Sequence, residues 1–452
     1  MQITGVIVST GMVGLLTAHT LPFQMSAAAT LMVCCIGLWI TSLAPAYWTA
    51  LAFFLAAVVF EIAPTETIFS GFQTSTFWLL FSGLILGAAI RHTGLDKRAA
   101  ALLSGMLGTR YASVISGIVL FALALNFVMP SAMGRIVLLV PIIIALADHM
   151  GYAALSNGRI GMLIGAAFGT WLPGFTVLPS NAPNMMLAGM AENLFGYQIS
   201  YWDYLILHFP VLGAVKSIIL IILILWMFPD RAPTYDTASK PTSDPMSAGE
   251  CRLVVLLGLS LALWFSDTLH HILPGWIGLA VALCCLWPQS NLTSKKCINE
   301  EINYGTLLFV AGIMGLGAVV STTGLGEKVV QSLSAHAGFS ADQPIWNLSA
   351  LTAISTLVAI ATNLPGVPAV MTPIAENLAD ITGLPLTTVL MTQVLAFSNV
   401  FLPYQAPPLI MAAQLARLPI GAISKMCLAL FAVNTLVLTP LDMLWWYFLG
   451  LL

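Results

Sequence analysis

Charge is what this sequence has least of. Only 7% of its 452 residues are Asp, Glu, Lys or Arg, whereas soluble domains carry about 25%. Such a chain cannot cover an aqueous surface with polar groups, and at 59% hydrophobic residues it has much to hide. Cysteine is also sparse. Cys34, Cys35, Cys251, Cys284, Cys285, Cys297 and Cys427 are scattered in or beside apolar segments, with neither metal-ligand spacing nor a disulfide framework, so they read as small apolar fillers. No H-E-x-x-H, G-x-S-x-G or pair of membrane aspartates occurs, so an intramembrane enzyme is not expected. The net charge of −3 says little, because membrane proteins are read by charge placement, and no nucleic-acid partner is expected. Short alternating strands are missing too, which sets aside a membrane β-barrel.

Present instead are long apolar runs from end to end, such as 205-LILHFPVLGAVKSIILIILILWMF-228 and 304-YGTLLFVAGIMGLGAVV-320. A span needs roughly 20 apolar residues, and about eleven segments qualify, with two more too short or too broken. The fold class expected is an all-α polytopic membrane protein embedded in a lipid bilayer. Basic residues cluster at Arg91–Arg110, Arg159, Arg231–Arg252, Lys295–Lys296 and Arg417–Lys425. A cytoplasmic amino terminus and an odd number of spans put nearly all of them on one side, Lys328 excepted, and the carboxyl terminus outside. A bacterial inner membrane is the expected location. Met1 to Ser9 has no basic residue, so a cleavable signal peptide is not expected.

The polar stretch 229-PDRAPTYDTASKPTSDPMSAGECR-252 divides the chain into near-equal halves that resemble each other. 79-LLFSGLILGAAIRHTGLDKRAAALLS-104 is answered by 307-LLFVAGIMGLGAVVSTTGLGEKVVQSLS-334, and 38-LWIT-41 by 263-LWFS-266. One preceding helix and five spans per copy make the second copy enter from the opposite face, the inverted-repeat plan of secondary transporters. Prolines break corresponding membrane segments at Pro173, Pro179 and Pro183 and at Pro403, Pro407 and Pro408. Backbone freed at that depth is tolerated where it is buried in protein or lines a watery cavity.

The order of landmarks LWITSLAP (38–45), GFQTSTFWLLFSG (71–83), TGLDKRAA (93–100), Pro183-Asn184, INYGTLLFVAG (302–312), TGLGEKV (323–329) and FLPYQAPP (401–408) resembles the divalent anion:sodium symporter family of the ion transporter superfamily. The resemblance implies eleven transmembrane helices, two re-entrant hairpins, a homodimer and an elevator-like movement. It divides the chain into a first helix over 1–22, inverted repeat 1 over 23–228, a cytoplasmic linker over 229–250 and inverted repeat 2 over 251–452. Repeat 1 would hold a hairpin at about 110–148 and a broken helix at about 160–190, and repeat 2 a hairpin at about 344–383 and a broken helix at about 386–414.

In that family each hairpin tip carries Ser-Asn-Thr, which binds substrate carboxylates and helps form a sodium site. The first tip here is Ser131-Ala132-Met133 and the second Thr362-Asn363-Leu364. The family's Thr-Pro-Pro-Asn appears as Ala406-Pro407-Pro408-Leu409, whereas the first half keeps Asn181, Pro183 and Asn184. These positions are the expected substrate site, with Ser131 and Asn363 as sodium ligands and sodium as the one candidate ion; no other cofactor is expected. Arg135 stands beside the first cation position, where a charge costs about 2.5–3.5 kcal/mol on insertion scales. Three readings are open: it snorkels to the cytoplasm, it stands in for sodium, or it grips the anion. Glu376 is the candidate for proton coupling. His92, His149, His208, His270, His271 and His336 fall near expected interfaces. The function expected is secondary transport of a small carboxylate, sulfonate or sulfate anion. The alternatives are an ion/proton antiporter or arsenite-type permease of the same superfamily, or a channel.

Overall fold

Polar caps and prolines cut the apolar runs into helices. Thr74, Ser131, Ser156, Ser200, Ser247 and Asn303 each accept a backbone N–H of the first turn that follows, relieving donors that a helix start leaves unpaired. The structure, a computed structural model, describes residues 2–41, 43–95, 98, 110–129, 131–230, 245–362 and 364–451. Every regular element among the described residues is helical.

The chain opens with α1 (Gln2–Ala18), α2 (Phe23–Thr41), α3 (Ala46–Val59) and α4 (Ser75–Thr93). Then come α5 (Tyr111–Val128), α6 (Ala132–His149), α7 (Asn157–Trp171), α8 (Ala182–Phe195) and α9 (Tyr201–Met227). Beyond the polar stretch lie α10 (Ala248–Phe265), α11 (Pro274–Leu286), α12 (Tyr304–Thr322) and α13 (Leu325–Ala337). They are followed by α14 (Pro344–Ala361), α15 (Gly366–Met371), α16 (Ala375–Thr382), α17 (Leu386–Phe397), α18 (Pro407–Ala416) and α19 (Ile420–Phe448). Eight of the described helices are long and apolar enough to cross a membrane, and six shorter ones are also apolar. Most of the linker, 231–244, lies outside the described residues, and α10 begins inside its expected end, at Ala248.

The order of elements recurs. α4 and α12 both lead into a Thr-Gly-Leu turn whose glycine is left-handed, Gly94 at φ 80° and Gly324 at φ 73°. Helix–turn–helix units follow at α5–α6 and at α14–α16. The third pair, α7–α8 and α17–α18, is interrupted by 3-10 turns at Pro173–Thr176 and Leu178–Ser180 in one half and at Pro403–Gln405 in the other. Each half ends in a long helix with a π turn, Phe209–Val215 in α9 and Asn434–Leu438 in α19.

Glycine lets these helices approach closely. A Cβ on Gly189 of α8 would meet the Met314 methyl at 2.1 Å, and one on Gly317 of α12 would meet the Met190 methyl at 2.2 Å. The two helices thus trade glycine for methionine across their contact, filling both hollows with adaptable side chains. The Glu192 carboxylate at the far end of α8 accepts from Ser75 N and Ser75 Oγ, anchoring α8 to the start of α4. α8 is thereby fixed at both sides, which sets the position of its first turn.

Candidate functional site

A cavity of about 920 Å³ opens among the broken segments. Residues 131–134, 179–183, 364–365 and 405–408 all line it, so four segments far apart in sequence meet on one space. Three of them begin helices of ten residues or more, and the fourth, 364–365, precedes the six-residue α15. Ser131 caps α6, Asn181 precedes α8 and Ala406 precedes α18, and the first-turn residues Ala132, Met133, Pro183 and Pro407 stand on the wall. Prolines suit these places because a first-turn N–H has no helical partner to lose. A helix N-terminus carries about half a positive charge, so three of them favour an anion in the space between.

The helix ends on the other side of each break are treated in the opposite way. Arg135 is 0% exposed, and its guanidinium is spent on backbone oxygens. Nε donates to Thr170 O at 3.0 Å, Nη2 to Ser180 O at 3.3 Å, and Nη1 to Met129 O. Thr170 lies in the last turn of α7 and Met129 caps the end of α5, so the cation sits on the negative ends of two helices. This corrects the snorkelling reading: the side chain is shut inside the fold, because carbonyls rather than water solvate it. Gly174 leaves the room, since a Cβ there would come within 2.8 Å of Asn126 Oδ1 and Asn181 Nδ2 and 3.0 Å of Arg135 Nη2. Around it, Asn126 donates to Gly169 O at 3.4 Å and accepts from Ser180 Oγ at 3.2 Å, and Asn181 donates to Trp171 O at 3.3 Å.

The remaining expected residues divide. Asn184 is buried behind the wall, donating to Gly174 O and Val177 O at 2.8 and 3.0 Å, so it braces the break. Leu364 lines the cavity; Thr362 beside it donates to Val358 O at 2.6 Å. Asn363 lies outside the described residues. Glu376 is exposed in the first turn of α16 and is not among the residues that line the cavity.

Sequence reasoning missed several contributors. Gln405 accepts from Phe401 N and Leu402 N at 2.8 and 2.9 Å and donates to Ala359 O at 2.8 Å, tying the second break to α14. Arg91, Glu301, Asn303 and Thr306 form a polar stretch of the wall, and Arg91 is its one cationic side chain among the described residues. The neighbouring Cys297 thiol is pushed up by burial and next by Glu301, with Arg91 pulling it down. His208, expected near an interface, is fully buried instead, because the π turn of α9 packs it under α17 and α19. Only a charge or amide inside an otherwise apolar run could have signalled these groups. Among the described residues no three His, Cys, Asp or Glu gather to hold a metal.

Comparison with known proteins places the chain in a family. Residues 36–397 match the family model CitMHS, citrate transporter. A membrane protein of Cupriavidus necator is 25% identical over 349 residues, which cover 75% of this chain and 68% of that protein. The inner membrane protein YbhI of Escherichia coli is 24% identical over 345 residues, covering 74% and 71%. An L-tartrate/succinate antiporter of Escherichia coli is 23% identical over 289 residues, covering 59% of this chain and 57% of that protein. With its interrupted helices around one cavity and four-fifths of its length in the match, the chain belongs to the citrate transporter family of the ion transporter superfamily and is a membrane transporter, not an enzyme.

Proposed function

We propose that the protein exchanges small carboxylate anions across the bacterial inner membrane by alternating access, as a homodimer whose cavity-bearing part moves like an elevator. The observation that carries the reading is the convergence of three helix N-termini on one cavity while Arg135 occupies the opposing helix C-termini. Anion affinity comes from oriented backbone dipoles and from Arg91 on the wall, not from the Ser-Asn-Thr side chains of the divalent anion:sodium symporters. Residues 131–133 offer one hydroxyl, and Ser131 Oγ already accepts from Gly134 N at 3.1 Å.

The carbonyls around Arg135 support a reading without sodium beside Ser131. The oxygens of Met129, Thr170 and Ser180 would suit a hard cation, but a guanidinium already holds all three. Arg135 is therefore a fixed cation in place of a bound one, and a carrier so built has no first-site ion to move with its substrate. Exchange of one anion for another meets that condition, and the relative named as an L-tartrate/succinate antiporter supports it. A cation antiporter is less well served, since Glu301 is the only carboxylate on the wall among the described residues.

The test is counterflow in proteoliposomes, with succinate, L-tartrate and citrate as probes. Unlabelled anion inside should drive saturable uptake of labelled anion in sodium-free buffer. Unsaturated flux with single-channel currents would refute a carrier, and exchange that stops without sodium would refute the fixed-cation reading.

A further inference from the structure

The second break also ends on a cation. α17 stops at Phe397, and its buried capping residue Ser398 presents a backbone carbonyl beyond the last helical turn. The Lys216 ammonium donates to that oxygen at 2.7 Å and is 2% exposed. Lys216 directly follows the π turn Phe209–Val215, and such turns redirect the side chains around them, often at functional sites. The matching π turn of α19 ends at Leu438, and one turn later lies the buried Asp442, near enough to act on the Lys216 charge but not within ion-pair distance of it.

The surroundings give the pair little else. Among the described residues neither Asp442 oxygen has a hydrogen-bond donor, and the Trp446 indole N–H faces the carboxylate outside hydrogen-bond geometry. His208 Nδ1 is 3.9 Å from Asp442 Oδ2, and its Nε2 lies 3.4 Å from Met391 Sδ. Among the described residues, Tyr204, whose ring packs on His208 and whose hydroxyl donates to Phe175 O at 2.8 Å, is the other titratable group against the cluster. α17 brings Met391 and Ser398, neither of them charged. Two buried charges with so few hydrogen bonds are a poor way to gain stability, because an apolar pair would serve as well or better.

Building on the reading of this protein as an anion exchanger with Arg135 as a fixed cation, we infer that Lys216 is the second fixed cation. It holds the negative end of α17 as Arg135 holds that of α7, and Asp442 balances its charge. Neither break then binds a free sodium ion, so both halves depart from the sodium-symporter pattern in the same way. One departure comes from the hairpin and the other from the last helix of the first half, which is why the sequence pattern shows only the first.

The full-length protein in proteoliposomes tests this with the same three probes. Replacing sodium by choline should leave wild-type exchange unchanged. Lys216→Met/Asp442→Asn removes both charges together; it should fold with a near-wild-type melting temperature yet exchange at least about tenfold more slowly, the effect of one charge-assisted hydrogen bond. Lys216→Ala should regain exchange when sodium or methylammonium is supplied. A pair kept only for stability leaves the folded double variant exchanging like wild type, which overturns the inference. Sodium that raises the wild-type melting temperature overturns it too, and needs neither a substrate nor a folded variant. Absence of exchange with every probe would instead defeat the carboxylate-exchange reading, and the sodium melt would still decide the role of Lys216.

Discussion

Replacing Arg135 by methionine keeps the apolar stem of the side chain and removes the guanidinium with all three donors. The oxygens of Met129, Thr170 and Ser180 are then left in a space closed to solvent. An unsatisfied buried polar group costs about 1–3 kcal/mol, so three could cost about 3–9 kcal/mol if nothing relaxed. Against this stands the removed cost of burying the charge itself, about 2.5–3.5 kcal/mol on insertion scales. The net expected is a destabilisation of between about 0 and 6 kcal/mol, with the breaks themselves distorted. Arg135→Lys keeps the charge but offers a point ammonium in place of a planar fork, so it should recover part of the stability and part of the exchange. Melting temperatures of the detergent-solubilised variants and counterflow rates, each with and without sodium, make the measurement. The expected order is wild type, then Lys, then Met, with sodium restoring some exchange to Arg135→Ala. A methionine variant as stable and as active as wild type, indifferent to sodium, would refute the reasoning.

Two further outcomes follow from the geometry. Arg91→Gln should raise the apparent KM for the exchanged anion by about tenfold, the loss of one charge-assisted contact, with Arg91→Lys intermediate; the concentration dependence of counterflow checks it. A Cβ on Gly275 of α11 would fall 2.0 Å from Ser75 O and 2.7 Å from Ser75 C, both backbone at the start of α4. Gly275→Ala should therefore destabilise by at least about 1–3 kcal/mol, the cost of overpacking, seen as a lower melting temperature and poorer recovery.

Much of the fold was legible because membrane solvation is read locally. Apolar length, proline clusters at Pro173–Pro183 and Pro403–Pro408, and the paired Thr-Gly-Leu turns are properties of short windows, and the helices follow them. The wall of the cavity was legible for the same reason: Ser131, Asn181, Pro183, Leu364, Ala406 and Pro407 sit at breaks, and the breaks meet. Arg135 was conspicuous as a charge in an apolar run, but nothing in its neighbours says whether it faces water, an anion or carbonyls.

By itself, then, the sequence determined a helical membrane protein with two similar halves and with interruptions at matching places, since these depend on composition and local backbone chemistry. Only the tertiary structure decided what the charges do. Arg135 lies 35 residues from Thr170 and Lys216 lies 182 from Ser398, so no local pattern could pair either cation with the helix end it holds. Those pairings arise from the packing of distant helices, where a buried charge takes whichever carbonyls the fold brings within reach.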